Sequence, residues 1–129
     1  MSFTISCTSL GAGSITVEVS DDVGYVYLTA SFLSDGLGDL TRGVVALVRG
    51  APQAHCSWQE EPGEYRWLFL CTGDELRLRI LEFPESFSKQ PDEEGRRIFA
   101  TACTLASFAG QVKSLLERLL DKYGIDGYQ

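Results

Sequence analysis

Basic residues and histidine are scarce in this sequence, and the shortage sets aside several activities before any motif is read. Eleven Lys and Arg stand against eighteen Asp and Glu, a formal charge of −7, which works against field-driven attraction to phosphate backbones or anionic membranes. Nucleic acid and membrane are therefore not expected as partners; a basic protein suits the charge better, while the plain alternative is that −7 simply keeps a small domain soluble. His55 is the single histidine, and Cys7, Cys56, Cys71 and Cys103 lie far apart with no Cys-x-x-Cys spacing. No metal set emerges from such a pattern and no cofactor is called for. The cysteines read as buried thiols of a reducing compartment. No stretch approaches the roughly 18 consecutive apolar residues of a membrane span, and Met1–Ser6 has neither a basic leader nor a signal-like apolar run. A cytoplasmic protein is expected. Missing too are a Ser/Gly/Pro linker and an internal repeat, so residues 1–129 are expected to form one α+β domain.

What is present is strand and helix periodicity with clear punctuation. Phe3–Thr8 and Ser14–Ser20 alternate apolar and polar residues around Gly11-Ala12-Gly13, and Gly24–Leu33 is rich in β-branched and aromatic side chains. Ser34-Asp35 offers capping oxygens, and Leu37, Leu40, Val44, Leu47 and Val48 recur at helical spacing, which predicts a helix over Gly36–Arg49 closed by Gly50 and Pro52. After a polar loop, Pro84–Gly95, the run Arg96–Cys103 is read as a strand, with a longer helix from near Ile98 as the alternative. Thr104 then caps a helix whose stripe is Leu105, Phe108, Ala109, Val112, Leu115, Leu116, Leu119 and Tyr123, ended by Gly124. The order β-β-β-α-β-β-β-β-α implies an antiparallel sheet of six or seven strands with two amphipathic helices on one face.

Between Ala54 and Phe83 two turns allow register to be worked out. Glu61-Pro62-Gly63-Glu64 has a type II pattern, and Thr72-Gly73-Asp74-Glu75 suits a two-residue hairpin. Two-residue loops pair Trp58 with Trp67, Cys56 with Phe69, Phe69 with Leu78 and Trp67 with Ile80; a longer first loop is the alternative, since type II turns splay hairpin strands. One face is then apolar, with Cys56, Trp58, Tyr65, Trp67, Phe69, Cys71, Leu76, Leu78 and Ile80. The other carries His55, Ser57, Gln59, Arg66, Leu68, Leu70, Arg77, Arg79, Leu81 and Phe83. A slip of one residue would bury three arginines, which protects the assignment.

The chemistry these residues offer is limited, and no catalytic residue is identified. His55 and Cys56 are strand neighbours, so their side chains point to opposite faces and cannot form a thiol–imidazole pair. His55 and Ser57 share a face and are the candidate ligand-binding residues, but no acidic group is placed to orient the imidazole. Glu60, Glu61 and Glu64 surround the first turn, where loop carboxylates without a pocket are usually just solvated; as a functional role, recognition of a basic partner stands ahead of cation binding. Gly11 and Gly13 join two strands and lack a nucleotide-loop pattern. Arg66, Arg77 and Arg79 interleave with Leu68, Leu70 and Leu81, a composition typical of interface hot spots. Together with Glu61 and Glu64 these form the candidate contact surface; the alternative is that the N-terminal strands or the 84–95 loop cover it.

Ser34-Asp35 before the first helix, Glu61-Pro62-Gly63-Glu64-Tyr65-Arg66-Trp67 and the ending Tyr123-Gly124-Ile125-Asp126-Gly127-Tyr128 together resemble small uncharacterised bacterial proteins, some of them similar to immunity proteins of polymorphic toxin systems. The resemblance spans most of the chain, and its motifs are turns and core aromatics. It implies a non-enzymatic protein-binding domain, an inhibitor of a bacterial toxin in its most specific form, and it carries over no catalytic residues. Two other expectations stand beside it. One is a small ligand-binding domain or enzyme with a pocket between sheet and helices; the other is a homodimeric scaffold formed by self-association.

Overall fold

The computed structural model describes residues 3–11, 13–31, 33–60 and 63–128, the side chains of 33–35 and 120–128 aside. The elements are β1 (Thr4–Gly11), β2 (Ser14–Ser20), β3 (Tyr25–Ala30), α1 (Leu33–Val48), β4 (Gln53–Glu60), β5 (Gly63–Thr72), β6 (Glu75–Phe83), β7 (Arg96–Thr104) and α2 (Leu105–Tyr128). Their order is the expected one. The sheet is not: the strands form two antiparallel sheets, β1-β2-β3 and β4-β5-β6-β7, in place of one sheet of six or seven. Ser31 N–H does donate to the Gln59 carbonyl across the gap, at 2.7 Å. However, the chain leaves β3 at Ala30 and is helical from Leu33, so no run of extended residues is left to continue a ladder.

That early helix also overturns the Ser34-Asp35 cap and the strand reaching Leu33, because both residues already lie within α1. The other end of α1 follows the sequence pattern. Gly50, at φ 104°, closes a Schellman arrangement in which Gly50 N–H donates to Leu47 O and Ala51 N–H to Ala46 O, each at 3.0 Å. Residues 96–104 are a strand, and Thr104 caps α2 by accepting from Ser107 N–H at 3.1 Å. Gly124 does not end α2, which continues to Tyr128; the Tyr123 side chain lies outside the described residues.

Both hairpins of the second sheet form. Gly73, at φ 61°, supplies the positive φ its turn needs, and Phe69 pairs with Leu78 and Trp67 with Ile80 as expected. In the first hairpin Glu60 pairs with Gly63, so Cys56 meets Trp67 and Trp58 meets Tyr65. This corrects the expected register by two positions, a shift that keeps every side chain on its assigned face. Glu61 and Pro62 lie outside the described residues. Trp58 and Trp67 are now diagonal neighbours, with ring centroids 5.0 Å apart, and both are fully buried.

The apolar faces meet in one continuous core. Ile5, Val17 and Leu28 from the first sheet, Leu40 and Leu47 from α1, Trp58, Trp67 and Ile80 from the second sheet, and Phe108 and Leu115 from α2 all belong to it. Trp58 Nε1–H donates to the Gly36 carbonyl at 3.0 Å, tying β4 to α1. A methyl group on Gly36 would come within 2.8 Å of the Ala30 side chain, so glycine permits the close approach of α1 to β3. Cys56 sits in this core, and burial, then the charge of Asp39, pushes its thiol well above the ordinary range. Among the described residues, no helix is long and apolar enough to cross a membrane.

Candidate functional site

No helix packs on the outer face of β4–β7 among the described residues, and that face is concave. It forms an open trough of about 1330 Å³. His55 and Ser57 from β4, Leu68 and Leu70 from β5, Arg77 and Arg79 from β6, and Arg97, Ala100 and Ala102 from β7 all line it. The aromatic core lies on the opposite side of the same strands. The alternation that sends Trp58 and Trp67 inward is therefore what presents the arginines outward.

One end of the trough is closed by the segment from 84 to 95, which folds back over the sheet. Arg66 is the latch. Its Nη1 donates to Asp92 Oδ1 at 2.8 Å and to Gln90 O at 3.0 Å, its Nη2 to Ser88 O at 3.2 Å, and its Nε to Glu64 Oε2 at 3.3 Å. The guanidinium also lies 4.1 Å from the Phe83 ring centroid. Glu64, only 3% exposed, accepts in addition from Ser88 N–H at 2.7 Å. Gly95 follows the segment's short 3₁₀ turn, Asp92–Glu94, and has no room for a side chain: a Cβ there would meet the Phe83 ring at 2.7 Å. Arg66, Leu81 and Glu64 of the expected contact surface are thus withdrawn under this segment. Leu70, half exposed, and Leu68, Arg77 and Arg79 remain in the open part. Glu61 lies outside the described residues.

The same segment carries the one non-glycine residue with positive φ among those described, Phe87 at φ 52°. Its N–H donates to Gln59 Oε1 at 2.6 Å, and Ser86 Oγ–H donates to Gly63 O at 2.9 Å. These bonds hold a bulky residue in a conformation that costs roughly 1 kcal/mol. The ring is 68% exposed and stands at the rim of the trough. Strain held in place by three side chains of the sheet, Gln59, Glu64 and Arg66, with little burial of the ring in return, marks Phe87 as a presented group. Phe87→Gly is therefore expected to stabilise the fold by about 0.5–1 kcal/mol, read as a higher urea midpoint; a lower midpoint would show that the ring contributes packing.

Electrostatically the trough opposes the rest of the molecule. Four arginines line it against two carboxylates, Glu64 and Asp92, and both carboxylates belong to Arg66. Arg77 has an exposed partner, Glu75, at 3.0 Å. Arg79 and Arg97 have no carboxylate partner among the described residues. His55 is exposed while Cys56 beneath it is fully buried, so the two do face apart as expected. Ser57 N–H is engaged by Asp39 Oδ2 at 2.8 Å. Among the described residues no group of three or more His, Cys, Asp and Glu is placed to hold a metal ion.

Two residues of this site were not visible in the sequence. Arg97 reaches the trough because a bulge opposite Ile80 and Leu81 inserts an extra residue in β7, so that Arg97 and Ala100 share a face although they are three apart. Phe87 lacked any partner in the periodic pattern; a lone aromatic between two serines in a polar loop was the available signal.

No protein-family model matches the chain, and no curated protein or solved structure matches it either.

Proposed function

We propose that this chain is a non-enzymatic protein-binding module whose working face is the trough on the outer side of β4–β7. The observation that carries this is a preformed concave surface combining an apolar floor, unneutralised arginines and a strained, exposed aromatic at its rim. Arginine and aromatic side chains around an apolar centre are the usual composition of binding hot spots. A nucleophile, base and orienting group within reach of one another are not found among the described trough residues, which favours binding over catalysis.

The resemblance to immunity proteins suggests the most specific form of this proposal, an inhibitor that masks a toxin. A rigid face that needs no chemistry suits that role. A basic partner, suggested by the net charge of −7, would contact acidic surface outside the trough. Self-association is the second reading, favoured by the half-exposed Leu70. A ligand pocket between sheet and helices is not favoured, because that interior is filled by Trp58, Trp67, Phe69 and Phe108.

A photo-cross-linking residue placed at Leu70 of the full chain is expected to give a discrete protein adduct in extract of the source cells, while the same residue at Tyr27 on the first sheet gives none. The adduct should disappear when Leu68→Asp is added, with the circular dichroism spectrum unchanged. Equal labelling from both positions, or none from Leu70, would refute the assignment.

A further inference from the structure

We infer that the occupant of the trough is an amphipathic α-helix flanked by carboxylates and presented by a partner protein, an inference that rests on the trough being a protein-binding face. Backbone chemistry makes the first selection. The floor strands β5 and β6 are each paired on both sides, so their peptide groups are consumed within the sheet. An extended segment laid on Leu68, Leu70 and Ala100 would bury its own N–H and C=O groups with nothing to receive them. A helix brings its hydrogen bonds with it.

Size agrees with that choice. Ten helical residues make a cylinder about 15 Å long, and the trough lies across four strands, about 14 Å at the usual strand spacing. Ala100 and Ala102 keep the β7 side of the floor low, so a helix backbone can settle there, and Phe87 stands where it would pack against the helix end.

Charge makes the second selection. Arg79 and Arg97 present guanidinium groups without carboxylate partners among the described residues, in a chain whose net charge is −7. A local cationic trough on an anionic protein attracts an acidic segment to this face and repels it elsewhere, which orients the encounter. Carboxylates spaced along a helix flank can reach both arginines while its apolar stripe meets Leu68 and Leu70.

A displayed library of random peptides of about 14 residues, roughly four helical turns, selected on the full chain tests this. Selected sequences are expected to carry apolar residues at helical spacing with Asp or Glu beside them, and to compete with the cross-link from Leu70. Their affinity should fall about tenfold or more in the Arg79→Glu Arg97→Glu double variant and return when the peptide's acidic residues are changed to lysine. Trough-dependent peptides that are basic, that alternate every second residue, or that keep their affinity with a central proline would overturn the helix, as would a library yielding no trough-dependent binder. A solution dimer dissolved by Leu70→Asp would name a second copy of this chain as the occupant instead. If the library fails while the Leu70 adduct still forms, only the helical occupant falls; if the adduct is also absent, the binding face itself does.

Discussion

Arg66→Ala is expected to lower stability by about 3 kcal/mol and to free the 84–95 segment from the sheet. Its guanidinium neutralises Glu64, whose carboxylate is 3% exposed, and fastens the segment through Ser88, Gln90 and Asp92. Removing one partner of a buried pair leaves an uncompensated charge, at a cost of about 3–5 kcal/mol. The lower end applies because Asp92 is half exposed and Arg66 keeps 12% exposure. Urea unfolding should show the shift, and amide exchange at Phe87 and Ser88 should accelerate with it. Adding Glu64→Gln to Arg66→Ala should restore about 1 kcal/mol or more, since the residual buried charge is gone. Unchanged exchange at Phe87 and Ser88 would mean that the segment is held by something other than this latch.

The two tryptophans should respond differently to the same substitution, although both are fully buried. Trp58→Ala is expected to cost about 3–5 kcal/mol, the usual penalty for emptying a core site of this size. Trp58→Phe removes ring volume and the hydrogen bond to Gly36 O. Trp67→Phe removes similar volume, but Trp67 Nε1 is a buried donor with no partner among the described groups, and a donor in that position carries a penalty of about 1–3 kcal/mol. Trp67→Phe should therefore be milder than Trp58→Phe by about 1–2 kcal/mol in denaturant midpoint at constant slope. The reverse order would show that the Trp67 indole has a partner in solution.

How much of this was legible follows from the range over which each signal acts. The Thr72–Glu75 hairpin was read with its register because a two-residue loop leaves no freedom in pairing. The first hairpin missed by two positions, since nothing local distinguishes Glu60 opposite Gly63 from Glu61 opposite Glu64; the face assignment survived because alternation has a period of two. The Thr104 cap was read from a hydroxyl followed by a helical stripe, a signal contained within one turn. The Ser34-Asp35 cap failed because α1 begins two to three residues earlier, where β3 ends short of Leu33.

The trough divides along the same line. By itself the sequence determined the order of the elements and the segregation of tryptophans from arginines, because both depend on periodicities along a single strand or helix. Only the tertiary structure decided that the strands separate into two sheets, that the 84–95 segment covers Arg66 and Leu81 while leaving Arg79 and Leu70 open, and that a bulge turns Arg97 to join them. Those outcomes depend on contacts between residues far apart in the chain, such as Arg66 with Asp92 and Phe87 with Gln59, and no local pattern encodes such a distance.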